Sequence, residues 1–170
     1  MSETPEKRYT RAEADRFFAV AYHGQTWELL DKAERSPEET ERMIHCAHAS
    51  LRHWLDAGGA VNAQRGEWLL ARVYTVTGMA ERALHHARRC LALTQQHAAE
   101  MADFDPAFAH EAAARALALS GDHSAALEHR QRAQTAGQAI QDAEDRALFE
   151  ADLAGGSWYG LETTQDGDPH

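Results

Sequence analysis

The sequence is poor in proline and has no long apolar run. Only 4 of the 170 residues are proline, so few positions are barred from a helix interior. No apolar stretch approaches the roughly 20 residues that a membrane-spanning helix needs, so we expect no membrane partner. The opening residues MSETPEKRYT are polar and charged, and we expect no secretory signal there. These features predict a cytoplasmic protein.

Basic residues and cysteines are also scarce. The chain has 17 Lys and Arg against 27 Asp and Glu, a formal net charge of −10. Nucleic-acid binding depends on a basic excess that releases counterions from phosphates, so we expect no nucleic-acid partner. The two cysteines are Cys46 and Cys90. In a reducing compartment they are expected to be free thiols.

The remaining composition is typical of helices. Alanine is abundant, and long periodic segments are separated by glycine, proline and capping residues. Two restarts are clear: Ser36 before Pro37, and Asp105 before Pro106, each placing a capping residue ahead of a first-turn proline. The pattern predicts about six helices. They cover residues 10–34, where Gly24 could introduce a kink or a break, then 36–57, 61–77, 80 to 100 or 102, 105–120, and 122 to 149 or 152. Trp158 and Tyr159 in GGSWYG are expected to dock back onto a helix.

Two segments are similar to each other. LLARVYTVTGMAERALHHARRCL (69–91) and AAARALALSGDHSAALEHRQRAQ (112–134) align on Gly78 and Gly121. Small residues recur before and after each glycine, and an Ala-Leu pair follows both at the same distance. The two glycines are 43 residues apart (121 minus 78). This internal similarity predicts repeated helix–turn–helix units.

The first of these segments resembles the tetratricopeptide repeat family. The residues that follow the family's spacing are Leu70, Ala71, Tyr74, Gly78, Ala83, Ala87 and Cys90. The repeat spacing is longer than the family's usual 34 residues. The resemblance implies an all-α domain over residues 1–160, with about three antiparallel helix pairs stacked as a short TPR-like α-solenoid. A flexible polar tail is expected over 161–170.

The resemblance also implies a binding groove lined by the first helix of each pair. The groove positions that would bind a ligand are Arg65, Trp68, Arg72, Glu111 and Arg115. Arginine holds carboxylate or phosphate through a planar fork of donors, so the groove predicts a protein, peptide or small molecule with an anionic group. The alternative is structural: Trp68 is buried, and Arg72 and Arg115 form salt bridges with Glu67 or Glu111.

A second hypothesis comes from the segment ERMIHCAHASLRHW (41–54). Glu41, His45 and His48 follow one another at spacings of four and three on a single helix stripe, so they could chelate a divalent transition metal. Cys46 and His53 lie on another side. Zinc needs further donors from neighbouring helices. The candidate donors are His86, Cys90, His97, Asp103, Asp105, His110 and Glu111.

These hypotheses lead to different functions. The chain has no CxxC or HExxH motif, no phosphate-binding glycine loop and no nucleophile elbow. We therefore favour an interaction module with no cofactor, with a small helical metalloprotein or metal-dependent enzyme as the alternative. Whether the chain is an enzyme stays open. A third alternative is a homo-oligomer that uses an exposed alanine-rich helix face.

Overall fold

The computed structural model describes residues 8–161, and every regular element in that range is helical, with no strand. The all-α prediction is therefore confirmed. The helices are α1 (Arg11–Leu30), α2 (Pro37–Ala57), α3 (Ala60–Val76), α4 (Ala80–Gln96), α5 (Asp105–Ser120), α6 (His123–Gln138) and α7 (Ala143–Ala154). One turn of 3-10 helix, Ala98–Glu100, follows α4.

The helix boundaries follow local capping chemistry. Thr10 and Ser36 begin α1 and α2 with capping boxes, in which the cap side chain and the third helical residue satisfy each other's backbone groups. Gly121 ends α5 at a φ of +87°, a left-handed conformation that suits glycine at a helix C-terminus. α1 runs through Gly24 and ends at Leu30, four residues before the predicted end at Glu34.

The predicted sixth helix is wrong in one respect, because the chain forms two helices there. Residues 139–142 separate α6 from α7. The Asp142 side chain accepts hydrogen bonds from the backbone N–H groups of Glu144 and Asp145, which starts a new helix. α6 and α7 then approach closely at Gly137, where a Cβ atom would overlap the ring of Phe149. The described chain thus has seven α-helices where six were expected.

Each helix packs against the next in sequence, and α3 also contacts α5. The main core cluster is centred on side chains from α2 and α3, including the fully buried Met43, Leu70 and Tyr74. The most alanine-rich helix, α5, lies inside the fold with most of its alanines buried. Small side chains let its neighbours approach closely. This densest run of alanines is therefore not an exposed surface for oligomerisation.

The C-terminal end of the described chain is part of the packed structure. Trp158 and Leu161 are buried, and Arg130 donates from Nη1 to the Leu161 carbonyl at 3.1 Å. The rest of the predicted tail, 162–170, lies outside the described residues. Within the described part of the chain, no helix is both long enough and apolar enough to cross a bilayer.

Candidate functional site

Three of the predicted groove residues meet in one pocket. Arg72 comes from α3, while Glu111 and Arg115 come from α5. The remaining wall is the C-terminal strap, which we define as residues 152–161, comprising the end of α7 and the turn that follows. The pocket has a volume of about 130 Å³. The sequence therefore identified two of its three sides and missed the third.

Arg72 and Asp152 close the pocket between α3 and α7. Arg72 donates from Nη1 and Nη2 to the two Asp152 carboxylate oxygens, at 2.7 and 2.9 Å. Both side chains are about three-quarters buried, with 28% and 25% exposed. Burial lowers the pKa of Arg72, but the Asp152 carboxylate outweighs it and raises that pKa above its usual value. This bidentate pair has the arginine–carboxylate geometry that the arginines of the groove predict for a bound ligand.

Arg115 is held by Glu111 and by the strap's backbone. Its Nε donates to Glu111, and its terminal nitrogens donate to the carbonyl oxygens of Asp152, Gly155 and Ser157 at 2.6 to 2.9 Å. Complete burial raises the pKa of Glu111 even though the guanidiniums of Arg115 and Arg72 oppose it. The predicted alternative of an Arg115–Glu111 salt bridge is confirmed.

The strap is fixed to this face by its two aromatic residues. Two guanidiniums stack on the Trp158 ring. The guanidinium carbons of Arg115 and Arg130 lie 4.1 and 4.2 Å from the ring centroid. Tyr159 donates its hydroxyl to the Thr75 carbonyl of α3 at 3.0 Å. The expectation that Trp158 and Tyr159 dock onto helices is confirmed. A cation–π contact contributes about 0.5–1 kcal/mol at an exposed site and about 2 kcal/mol when it is shielded from water.

Arg65 and Trp68 lie in a neighbouring aromatic cleft. The cleft has a volume of about 220 Å³, and Leu148 of α7 stands at its edge. Its other lining residues are His23, Trp27, Gln64, Phe104, Asp105 and Phe108. Trp68 packs against Trp27 and Phe108 with ring centroids 6.0 and 5.7 Å apart. The predicted groove set is therefore divided between two adjoining sites.

Asp105 has a different role from the one its position predicts. It is the first residue of α5 instead of the residue before the helix. Its carboxylate accepts from the Ala102 backbone N–H at 2.8 Å and from Arg65 through two hydrogen bonds of 3.0 and 3.1 Å. Asp105 is buried, whereas the Arg65 side chain is 46% exposed. The pair joins α3 to α5 at the edge of the cleft.

Within the described residues, Glu41, His45 and His48 do not come together as a metal-binding group. Glu41 and His45 are exposed and line a shallow surface groove, whereas His48 hydrogen-bonds through Nε2 to the Tyr74 hydroxyl at 2.7 Å. Between residues 8 and 161, no three His, Cys, Asp or Glu side chains are grouped so that they could hold a metal ion. Cys46 and Cys90 are both buried free thiols, and burial raises the pKa of Cys90 to about 12.

A buried polar network next to His48 was not predicted. Glu67 of α3 is bound by His86 Nδ1 at 2.7 Å and Arg89 Nε at 2.5 Å, both from α4. The His86 ring stacks on Tyr74 with centroids 5.4 Å apart. The sequence signal was present: His86 and Arg89 are three apart, so they share a helix face. The network ties α3 to α4; the Glu67 and His86 side chains are mostly buried, whereas that of Arg89 is 54% exposed.

Comparison with protein-family models, with curated proteins and with solved structures finds no match to this chain.

Proposed function

We propose that the chain is an interaction module, a short helical-repeat stack similar to tetratricopeptide repeats. In this proposal the helix pairs are α1–α2, α3–α4 and α5–α6, and the face carried by α3 and α5 binds an acidic segment. Support comes from the packing of consecutive helices and from the contact between α3 and α5, alternate helices in sequence. In a stack of helix pairs, the first helices of successive pairs lie side by side.

The single observation that carries the proposal is the Arg72–Asp152 pair. Arg72 already holds a carboxylate bidentately, and that carboxylate belongs to an acidic helix of the chain itself. Segment 142–161 has one arginine, Arg146, and five acidic residues. The acidic residues are Asp142, Glu144, Asp145, Glu150 and Asp152. The segment therefore serves as an intramolecular example of the ligand. An external acidic peptide would replace it at the same contacts.

Asp152 is an internal competitor that any acidic partner must displace from Arg72. Arg72 and Arg115 face Asp152 and Glu111, so the pocket contains two guanidiniums and two carboxyl groups. An added anion would be repelled by these carboxylates unless it replaced Asp152 on Arg72. The apparent affinity for the partner is then the intrinsic affinity multiplied by the fraction of molecules in which the strap is released.

The test uses the full chain carrying Asp152→Asn, which weakens the internal competitor while keeping its shape. The probe is a synthetic peptide of residues 142–161, titrated into isotope-labelled protein and followed by NMR. We expect shifts of the Arg72 side-chain N–H signal and of backbone amides of α3 and α5. Arg72→Gln should weaken peptide binding about tenfold, the loss of a charge-assisted bidentate contact.

The matched control is Arg88→Gln, since Arg88 is an exposed arginine on α4. Binding should be the same with and without that change. Saturating peptide that leaves the α3 and α5 signals unmoved, or that binds equally well to the Arg72→Gln protein, would show that this face is not the binding site.

A further inference from the structure

We infer that the outer face of α1 packs against the same face of a second copy of the chain, with the two helices antiparallel across a two-fold axis. We call this face the α1 patch and define it by Tyr9, Phe17, Phe18 and Val20. None of these four residues lines the pocket that Arg72 and Asp152 close, so the inference does not depend on the proposed function.

The α1 patch gathers large apolar side chains that are exposed to water. Phe17 is 65% exposed, Val20 is 56% exposed, and Tyr9 and Phe18 are 59% and 41% exposed. Of the nine large apolar side chains that are exposed between residues 8 and 161, four lie within residues 9–20. Single exposed apolar residues are ordinary on a protein surface, whereas a contiguous group of them indicates an interaction site.

α1 has apolar side chains on more than one of its faces. Ala19 and Leu29 are buried where α1 packs mainly on α2, while Phe17 and Val20, three residues apart, share a different face. Apolar residues around a helix are typical of a helix enclosed by neighbours on both sides. The residues outside the described range, 1–7 and 162–170, contain one large apolar side chain, Met1, so they are poorly suited to cover this face.

The exposed area of the α1 patch matches what a small dimer requires. From their exposures, the four side chains present on the order of 400 Å². A small specific interface buries about 600 Å² on each partner, and about 65% of a homodimer interface is apolar. An apolar centre of about 400 Å² on each copy is therefore enough for such an interface.

The shape of the α1 patch is complementary to itself. The Phe17 ring borders two shallow hollows, and the second of them is lined by Glu13, Arg16, Val20 and Ala21. In an antiparallel pair whose two-fold axis passes between Phe17 and Val20, Phe17 of each copy lies opposite Val20 of the other and enters that hollow. A two-fold interface requires this property, because the same surface serves both copies.

Ring contacts hold Phe17 in position. The Phe18 ring lies 5.4 Å from that of His53 and 6.0 Å from that of Tyr22, measured between centroids. Phe17 meets Phe18 edge to face at 5.4 Å, and His53 is fixed by a hydrogen bond of 2.7 Å with Asp15. An aromatic side chain that is already ordered loses little conformational freedom on association, which favours binding.

The charges of α1 favour a second copy over a lipid surface. The 20 residues of the helix include two arginines and three acidic residues, so its formal charge is −1 in a chain of −10. Glu13 and Arg16, which line the same hollow, carry opposite charges. Two copies therefore meet at this face with little repulsion. Helices that lie on membranes instead carry an excess of lysine and arginine, which α1 lacks.

The experiment is sedimentation equilibrium of the full chain from about 1 µM to about 500 µM, because an interface of this size is typical of weak complexes. We expect the unmodified chain to approach twice the mass of one chain at the highest concentrations. Phe17→Ala should weaken dimerisation about tenfold. Phe17→Glu and Val20→Lys each place an unpaired charge in the contact, and each should weaken it at least about a hundredfold.

An equimolar mixture of Phe17→Glu and Val20→Lys tests the antiparallel pairing. The carboxylate introduced at position 17 of one copy then lies opposite the ammonium introduced at position 20 of the other, so the mixture should regain the dimer that each variant alone lacks. The matched control is Leu127→Glu, at a residue of α6 that is 55% exposed, and it should dimerise like the unmodified chain. Circular dichroism spectra that match the unmodified chain establish that the variants fold.

Several results would overturn the inference. An unmodified chain that stays monomeric at the highest concentration would show that the α1 patch does not join two copies. Dimers that persist in Phe17→Glu would place the interface elsewhere, and a mixture that stays monomeric would exclude the antiparallel arrangement. Cosedimentation of a monomeric chain with phosphatidylcholine vesicles, abolished by Phe17→Glu, would assign the patch to lipid.

Discussion

Arg72 of α3 and Asp152 of α7 are 80 residues apart in sequence and are joined by two parallel hydrogen bonds of 2.7 and 2.9 Å. The pair fixes the last helix of the described chain to the face that the sequence marked as a binding groove. This ion pair, the buried side chain of Phe149 and the hydrogen bond from Arg115 to the Asp152 carbonyl attach α7 to its neighbours. Arg72 is therefore one of the contacts that fix the position of α7.

The first prediction concerns that attachment. Arg72→Gln should loosen α7, because Asp152 would keep its charge at a mostly buried position without its guanidinium partner. Amide hydrogen exchange over Ala143–Ala154 should accelerate, and the free energy of unfolding should fall by about 1–3 kcal/mol. Arg88→Gln, at an exposed arginine of α4, serves as the control. Unchanged exchange in α7 would show that the ion pair does not hold it.

The second prediction concerns the buried carboxylate of Glu67. Burial raises its pKa, but the hydrogen bonds from His86 and Arg89 outweigh burial, and the pKa lies below the ordinary value of 4.5. The folded state therefore binds this proton less readily than the unfolded chain. The resulting stability is complete above pH 4.5 and is lost as the pH falls through the lowered pKa. The free energy of unfolding, measured with urea, should fall less between pH 6 and pH 3 for Glu67→Gln than for the unmodified chain.

The third prediction concerns two histidines that join α5 to α6. His110 Nδ1 and His129 Nδ1 are 3.1 Å apart, so one ring must donate and the other accept. Burial, with His129 and Arg132 adding to it, lowers the pKa of His110 to about 4. Between that value and the ordinary 6.5 the unfolded chain binds more protons, so stability should rise with pH across this window.

Proton NMR titration measures the His110 pKa directly. Changing His129→Gln removes a neighbouring positive charge, so the His110 pKa should rise while burial keeps it below 6.5. A His110 pKa that is the same in both proteins would mean that His129 does not influence it.

The fourth prediction contrasts one substitution at two helix positions. Gly24 is exposed within α1, and an added Cβ meets no atom within 4 Å, so Gly24→Ala should stabilise the fold by about 0.5–1 kcal/mol. Gly137 of α6 contacts the Phe149 ring, and an added methyl would overlap it. Gly137→Ala should destabilise the fold by about 1–3 kcal/mol. In thermal unfolding, the melting temperature should rise for Gly24→Ala and fall for Gly137→Ala. Melting temperatures that shift in the same direction would contradict this packing.

Much of the fold was predictable because its signals are local. Ser36 with Pro37 at the start of α2, and Gly121 at the end of α5, determine helix ends through chemistry within a few residues. The break before α7 was missed because Asp142 lies in a segment with no proline, and its capping role depends on the chain turning there. Gly137, five residues earlier, is explained by the contact with Phe149, which sequence periodicity does not reveal.

The candidate site was only partly predictable. The repeat spacing placed Arg72, Glu111 and Arg115 on one face, and all three line one pocket. Asp152 was not assigned to it, because a contact across 80 residues leaves no local pattern. Likewise, the histidine spacing in α2 suggested chelation, but His48 is bound to Tyr74 of the next helix. In both cases the partner from another helix determines what the residue does.

The most direct test of the proposed binding face is a double-mutant cycle between Arg72 and the ligand's carboxylate. Peptide 142–161 and its Asp152→Asn version are titrated against the Asp152→Asn chain, with and without Arg72→Gln, by calorimetry. The proposal predicts that the peptide's change weakens binding about tenfold when Arg72 is present and has little effect when it is replaced. Equal losses in both proteins would contradict it, because the peptide's carboxylate would then act elsewhere.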